Sequence, residues 1–512
     1  MEDTRSAARE KFAELRKVGK DKRAERRALL KRIEELDSEI ERNRLECLAA
    51  RNDYAQIHIL PVEVLSTIFQ QACHCEERME IKLSRVCRLW RSITLSSPNL
   101  WSTFTYCDSL SEVKRLLIYL ERSRNHPVDL LFYIHNGGRF AVVKQLLDKA
   151  IKHVSRWRRF SLVVHEDSWS SRDLFAPLLD VSAPHLHRFE VSTPANFWYH
   201  DKQLEYDDDS THHFRYIFKG GAPLLSDVKL DSISWEGFMP LSNMTTLEIQ
   251  VTDPDACSSP FRYLLHLFDL PLVNLSLIGE VFEAAKASTQ QVTTTTLKIF
   301  RCSNEIVESI LEHIHAPQLE VLILKGCCPD LSGNPYHNSC PTIFPSLHTL
   351  SLVDCQFFEF ENFSHFALAT NCITRLYMFF HVSHLYRHKD VLYLMPKNSP
   401  QTILWPRLNS LTYLIGPGAE EDMDDEDFKP YLEVFECRSR ILNTHCTLEL
   451  QPRDAEFWKT KHPASWNRLQ KGGFYREMQP RDGCYLPFPP TKFDEFHRGS
   501  KDPFMMPEEY YV

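Results

Sequence analysis

"APQLEVLILKGC" at residues 316–327 and "FPSLHTLSLVDC" at residues 344–355 share one spacing of apolar residues. The spacing is L-x-x-L-x-L-x-x-C, formed by Leu319, Leu322, Leu324 and Cys327 in the first stretch and by Leu347, Leu350, Leu352 and Cys355 in the second. A strand with this pattern points its leucines to one face and the intervening residues to the other. One such unit cannot bury its apolar face alone, so the pattern predicts stacked repeats that share a continuous core.

Weaker copies of the spacing lie on both sides of these stretches. They are centred on Trp157-Phe160-Leu162, Leu186-Phe189-Val191, Leu225-Val228-Leu230, Met244-Leu247-Ile249, Leu272-Leu275-Leu277, Leu297-Ile299-Cys302, Ile373-Leu376-Met378 and Leu408-Leu411-Tyr413. Most copies are 19–29 residues apart, close to the period of leucine-rich repeats, with longer inserts after Leu186 and Ile373. "CSNEIVESILEHIHAP", residues 302–317, has helical periodicity, which favours an α/β solenoid. The alternative is a β-sandwich, which leaves the third leucine and the following cysteine of the two clear copies unexplained.

The solenoid is predicted over residues 105–450, with the residues between its core leucines on the concave face. The acidic run "EEDMDDED", residues 420–427, is predicted to be a solvated loop, with binding of a basic partner as the alternative. Residues 451–512 are rich in proline and aromatic residues. They are predicted either to cap the open end of the solenoid or to be partly disordered.

Residues 5–57 contain no proline and one glycine, which predicts a long charged helix. From Leu29 onward its apolar residues follow the a and d positions of a heptad, and only Asn43 interrupts them. This predicts a coiled coil with self-association through residues 29–57, or a single helix that lies on the body of the protein. A zipper-type DNA-binding helix is disfavoured because acidic residues nearly balance the basic ones and leucine is sparse at d.

"LPVEVLSTIF" at residues 60–69 and "LSRVCRLWRSITLSSPNLW" at residues 83–101 have apolar residues at helical spacing. Pro61 suits the first turn of a helix, and Glu63 complements the helix dipole. A second helix is predicted with an apolar face formed by Leu83, Val86, Cys87 and Trp90. Because about forty residues cannot bury a sufficient core alone, this surface needs a cover from the rest of the chain or from another protein.

The two stretches resemble the F-box, whose pattern is roughly L-P-x-E-[VIL]-L-x-x-I-F, a spacer, [LA]-x-x-V-C-[RK]-x-W-R and then P-x-L-W. The resemblance covers residues 58–104 and includes Val86, Cys87, Trp90 and Arg91. The charged helix before the motif, and "YLERSRNHPVDLLF" and "HVSRWRRFSLVV" after it, are similar to segments of mushroom-type (basidiomycete) fungal F-box proteins. The spacer "QQACHCEERMEIK" departs from the leucine pattern that is frequent in the family.

The resemblance implies a substrate-receptor subunit of an SCF-type ubiquitin ligase. The F-box would dock the Skp-family adaptor, which joins it to the cullin ligase core, and the repeats would bind a protein target that the sequence does not identify. The residues implied in the adaptor contact are Leu60, Pro61, Val64, Leu65, Ile68, Phe69, Leu83, Val86, Cys87 and Trp90. The alternative is a non-catalytic scaffold that dimerises through the N-terminal coiled coil.

Composition and motifs exclude other classes. A net charge of −9 argues against a general nucleic-acid binder, and no apolar run is long enough to span a membrane. With no secretory signal and 15 scattered cysteines, we expect a cytoplasmic and/or nuclear protein with reduced thiols. No phosphate-binding glycine loop or nucleophile elbow occurs, and His381, His384 and His388 lack a matched acidic or thiol cluster. We therefore expect no catalysis, no cofactor and no metal site.

Overall fold

The computed structural model describes residues 2–54, 56–76, 78–106, 112–134, 140–164, 176–192, 217–231, 244–251, 261–283, 292–303, 307, 313–327, 344–355, 360–380, 403–415 and 425–478. Outside these ranges lie residues 304–306 and 308–312 of the predicted helical stretch, the three histidines at residues 381–388, residues 420–424 of the acidic run and the tail after residue 478. The chain divides into two compact units, Met1–Trp101 and Ser102–Val512. No helix in the described ranges has the length and apolarity needed to cross a bilayer.

The first unit is helical throughout its described part. Its elements are α1 (Glu2–Asp53), a 3₁₀ turn (Gln56–Ile59), α2 (Val62–Cys75), α3 (Met79–Leu83), α4 (Arg88–Ser96) and a second 3₁₀ turn (Pro98–Trp101). The predicted long helix is confirmed, although it ends at Asp53, before the predicted boundary. Every described side chain of α1 is exposed, and only the position of Gly19 is half-buried. This helix therefore has an uncovered surface along its whole described length.

The second unit is built on one parallel sheet whose strands follow chain order. They are β1 (Thr103–Tyr106), β2 (Val128–Ile134), β3 (Trp157–Val164), β4 (Arg188–Ser192), β5 (Asp227–Asp231), β6 (Thr246–Gln250), β7 (Asn274–Ile278), β9 (Ile299–Ser303), β11 (Val321–Lys325), β12 (Thr349–Val353), β13 (Arg375–Phe380), β14 (Ser410–Ile415), β15 (Thr447–Leu450) and β16 (Tyr475–Glu477). A separate parallel pair joins β8 (Val292–Thr293) to β10 (Ile314–His315). Parallel pairing in chain order is typical of a solenoid and excludes the β-sandwich, whose sheets are antiparallel.

Helices connect several of these strands, because a parallel pair needs a long crossover. They are α5 (Glu112–Arg122), α6 (Phe140–Ile151), α7 (Phe261–Phe268), α8 (Phe360–Ala369), α9 (Asp425–Leu442), α10 (Pro452–Lys461) and α11 (Pro463–Lys471). The predicted acidic loop is wrong at its end, since Asp425 begins α9. The start of the predicted tail is also ordered: α10, α11 and β16 form a regular end to the sheet up to Met478.

Two rows of residues fill the core, one at each leucine position of the repeat. The first row is Phe104, Leu130, Phe160, Phe189, Val228, Leu247, Leu275, Phe300, Leu322, Leu350, Leu376, Leu411 and Leu448, and all are almost fully buried. The copy predicted as Leu297-Ile299-Cys302 is wrong by one residue, because Phe300 pairs with Leu275 and Ile299 points to the opposite face. The copies in β1, β2 and β15 were not predicted, since aromatic residues or a short strand replace the leucine pattern there.

The repeat cysteines belong to this core. Cys327 and Cys355 are buried thiols, and their Sγ atoms lie 3.5 Å apart in neighbouring repeats. The Cys355 thiol also lies 3.4 Å from the carbonyl oxygen of Leu324. These small thiols act as packing residues, as the spacing predicted.

Candidate adaptor-binding surface and polar face of the sheet

Helix α2 presents two neighbouring ridges of apolar side chains. Pro61 precedes the helix in an extended conformation, and its carbonyl accepts the first helical hydrogen bond from the Leu65 N–H at 3.0 Å. Pro61 was predicted in the first turn of the helix, but it is the N-cap residue just before that turn. Because helical residues four apart share a ridge, Leu65 and Phe69 form one ridge and Val64 and Ile68 the other.

The first ridge is buried inside the helical unit. Leu65 and Phe69 are 0% and 1% exposed, and Leu83 is also buried. The ring of Phe69 lies 4.7 Å from the ring of Trp90, measured between centroids, with the planes tilted by 55°. These motif residues hold α2 against α3 and α4, and their side chains are mostly covered by the chain itself.

Cys87 has a different position from the one predicted. It is the N-cap of α4, with extended backbone angles of −153° and 175°, and its Sγ accepts a hydrogen bond from the Trp90 N–H at 3.4 Å. The predicted single helix through Leu83 and Trp90 is therefore wrong: Leu83 ends α3, Val86 and Cys87 form a turn, and α4 begins afterwards. The apolar residues of this stretch keep a helix-like spacing in sequence because the turn between the two short helices is itself short.

Two further motif residues stabilise this turn and the end of the motif. The guanidinium of Arg91 donates through Nε to the carbonyl of Ser84 at 2.8 Å, so it ties α4 to the end of α3. The indole N–H of Trp101 donates to the carbonyl of Thr94 at 2.8 Å. Both bonds satisfy carbonyls near helix ends, where intrahelical partners are absent. Arg91 and Trp101 therefore maintain the framework of this unit.

The atypical spacer is accommodated by a buried carboxylate and a left-handed turn. Arg78 adopts φ +58° just before α3, and Glu80, in the first turn of α3, is buried. Burial, followed by the nearby charge of Glu80, raises the pKa of the Cys73 thiol to about 12. Cys73 is thus a neutral packing residue, and it has no character of a metal-binding thiolate.

The second ridge of α2 and the turn before α4 are exposed. Val64 and Ile68 are each 43% exposed, and Val86 is 58% exposed. Leu60 and Pro61 are exposed at the start of the same ridge. Five of the ten predicted contact residues therefore have accessible apolar side chains, whereas Leu65, Phe69 and Leu83 are buried and Cys87 and Trp90 are half-buried. We call the five exposed residues the exposed ridge.

Sequence reasoning missed further exposed apolar residues in the same helical unit. Ile59 is 81% exposed, Val62 is 50% exposed and Leu89 is 37% exposed. Their apolar character was visible in the sequence, but only the position of the buried ridge shows that they face solvent. Arg85 and Arg88 are exposed in the same turn and at the start of α4. A basic edge next to an apolar ridge is suited to a partner with an apolar groove and an acidic rim.

The sheet of the second unit has its own polar face, opposite the core rows. Its central row lies between the two leucine positions, and we call it the middle row. In order it contains Thr105, Leu131, Ser161, Glu190, Lys229, Glu248, Ser276, Arg301, Ile323, Ser351, Tyr377, Thr412, Glu449 and Arg476. Residues far apart in sequence become neighbours here because each strand is in register with the next.

Charges in the middle row neutralise one another between β4 and β9. Lys229 Nζ lies 2.8 Å from a Glu248 carboxylate oxygen and 3.9 Å from a Glu190 oxygen. Arg301 Nη2 donates to the other Glu248 oxygen at 2.5 Å, and its Nε donates to the Ser276 hydroxyl oxygen at 2.6 Å. Burial alone would raise the pKa of Glu248, but Lys229 and Arg301 hold it at about 2. The carboxylate is therefore ionised at neutral pH.

This network limits how the sheet can recognise another protein. Glu248 and Arg301 are buried among the described residues, and their charges already have partners within the sheet. A second polar contact joins Thr412 and Glu449, whose hydroxyl and carboxylate oxygens lie 3.1 Å apart. Among the described residues, no group of three or more His, Cys, Asp or Glu side chains could hold a metal ion. The middle row therefore stabilises the sheet through paired charges.

One comparison with known proteins covers the residues of the two ridges. Residues 57–106 match the F-box-like family. That range includes α2, α3, α4 and β1, and therefore both ridges. No curated protein matches the chain. A Bacteroides fragilis protein solved as a structural genomics target is 12% identical and aligns over 59% of this chain and 73% of its own, with a TM-score of 0.25, which is too low to support an argument about the fold.

Proposed function

We propose that this protein is a substrate-receptor subunit of an SCF-type ubiquitin ligase. F-box domains generally bind Skp-family adaptors, and the F-box-like domain at residues 57–106 is the observation that carries the proposal. In this proposal the exposed ridge enters an apolar groove of the adaptor, as in other helix-in-groove contacts. The adaptor joins the chain to the cullin ligase core, and the sheet unit holds a protein target.

The protein acts by proximity in this proposal. Holding the target and the charged ubiquitin on one assembly raises their effective concentration, and no proton transfer by this chain is needed. Its place is the cytoplasm and/or nucleus, in keeping with the free cysteines of the described ranges. The kinship with mushroom-type fungal F-box proteins belongs to the same proposal, supported by the sequence of residues 119–132 and 153–164.

Adaptor binding can be tested at the exposed ridge without disturbing the framework. Leu65 is unsuitable because a polar side chain there would unfold the helices, whereas Ile68 is 43% exposed. Burying an aliphatic side chain contributes about 1.5–3 kcal/mol, and a carboxylate in the groove adds a desolvation penalty. We expect Ile68→Asp to weaken binding of a purified Skp-family adaptor by about 100-fold or more, measured by calorimetry on the full chain.

The matched control is Gln70→Asp, which puts the same charge on an exposed position of α2 away from the ridge. It should bind the adaptor normally, and both variants should keep the circular dichroism and unfolding temperature of the unmodified protein. Normal adaptor binding by Ile68→Asp would contradict the proposal. Equal loss in both variants would mean that the ridge is not the contact.

A further inference from the structure

The second half of α1 carries an apolar seam that no described residue covers. When Phe12 is assigned to heptad position a, the a and d positions of this half are Leu29, Ile33, Leu36, Ile40, Asn43, Cys47 and Ala50. Leu29, Ile33 and Ile40 are between 52% and 63% exposed, and Leu36 is 40% exposed. A contiguous aliphatic stripe of this kind marks an interface, since soluble proteins rarely leave one open to water.

The flanking charges indicate which partner fits the seam. In a parallel, in-register pair of identical helices, each g residue lies near the e residue that is five positions later in the other chain. The three such contacts are Arg32 with Asp37, Glu39 with Arg44, and Glu46 with Arg51. Every one joins opposite charges, and the two-fold symmetry of the pair makes each contact twice. The helix is thus electrostatically complementary to a second copy of itself.

An antiparallel pair does not share this complementarity. It brings g positions against g positions, and when residues 29–53 overlap fully Glu39 faces Glu46, so like charges would lie side by side. Within a parallel assembly, Ile at a together with Leu at d favours two strands over three or four. We infer that residues 29–53 form a parallel, in-register, two-stranded coiled coil between two copies of this chain.

The first half of α1 sets the limit of the coiled coil. Gly19, Lys22 and Arg26 occupy its a and d positions, so the seam is interrupted there. The contact between Lys11 and Arg16 across a parallel pair would also be repulsive. The interface therefore begins near Leu29, and it ends with the helix at Asp53.

Existing ion pairs within α1 do not oppose the association. Arg32 bonds Glu35 at 3.2 Å and Arg44 bonds Glu41 at 2.9 Å, and all four side chains are close to half exposed or more. Exposed pairs of this kind contribute little to stability, so both arginines can turn to the partner helix at little cost. The inference does not depend on the F-box or on the proposed ligase role.

Light scattering on the full chain tests the association. We expect a dimer at micromolar concentration, and we expect Ile40→Glu, on the seam, to weaken dimerisation by about 100-fold. The matched control is Leu45→Glu, because Leu45 is 51% exposed at the outer f position. The control should remain dimeric. A monomeric unmodified chain, or a dimer that survives Ile40→Glu, would overturn the inference.

A disulfide through Cys47 tests whether the two helices are parallel and in register. It is exposed at position a, where a parallel in-register pair places the two thiols face to face. Oxidation by dioxygen with a copper–phenanthroline catalyst should give a covalent dimer that Cys47→Ser removes. In addition, Glu39→Lys should weaken the dimer and the double variant Glu39→Lys with Arg44→Glu should restore it. A dimer without the cross-link and without this rescue would show that the parallel register is wrong.

Discussion

The two units of the chain treat apolar and charged side chains in opposite ways. Large exposed apolar residues in the described ranges lie almost entirely in the first unit, and the exceptions are Leu117, Ile118, Leu224 and Leu368. The second unit buries its apolar rows and, in addition, buries charges such as Glu248 and Arg301. The sheet unit is therefore stabilised by its own repeats, whereas the helical unit leaves large apolar side chains exposed.

The largest expected effect is in the buried network of the sheet. Glu248→Ala removes the carboxylate between Lys229 and Arg301, which leaves a buried guanidinium without its ion pair. Breaking a buried pair in this way costs about 3–5 kcal/mol. Hydrogen exchange on the full chain should show a corresponding loss of protection at the β6–β9 amides.

An exposed ion pair of the same sheet provides the control for this prediction. Lys298 and Glu320 lie 2.7 Å apart with side chains 47% and 40% exposed, so Glu320→Ala should cost about 0–1 kcal/mol. Similar loss of protection in the two variants would mean that buried and exposed ion pairs contribute equally to the stability of the sheet, contrary to this prediction.

A smaller effect separates the two ridges of α2. Leu65→Ala removes a fully buried side chain and should cost about 3 kcal/mol of stability in the helical unit. Val64→Ala removes an exposed one, so it should change stability by less than about 0.5 kcal/mol. Hydrogen exchange of the α2 and α4 amides in the full chain measures the stability change in both variants. If Val64→Ala were as costly as Leu65→Ala, Val64 would have to be covered by the chain itself.

The last prediction concerns the acid response of Glu248. Its pKa is held at about 2, below the ordinary value of 4.5, so its stabilising contribution is fully present above pH 4.5. That contribution is lost progressively as the pH falls from 4.5 towards 2, because the unfolded chain then binds a proton that the folded chain does not. The difference in β6–β9 protection between the unmodified protein and Glu248→Gln should narrow over that interval. A constant difference down to pH 2 would contradict the depressed pKa.

Local spacing predicted most of the elements but not their surroundings. The leucine spacing located β3 to β7 and β11 to β14, and the F-box pattern located α2. Spacing alone could not show that Phe300, and not Ile299, lies in the core row, because that depends on the pairing of β9 with β7. It also could not separate Val64 from Leu65, since both are apolar neighbours on one helix and only the packing of α3 and α4 decides which one is covered.

By itself, the sequence determined the elements that depend on short-range periodicity: the long helix and its heptad, the F-box-like stretch, and the repeating strands. Tertiary structure alone decided which apolar residues remain exposed and which charges meet, as when Glu248 bonds Arg301 across two strand registers. The physical reason is that periodicity is a property of neighbouring residues along the chain. Burial and ion pairing depend on distant segments that only the assembled fold brings together.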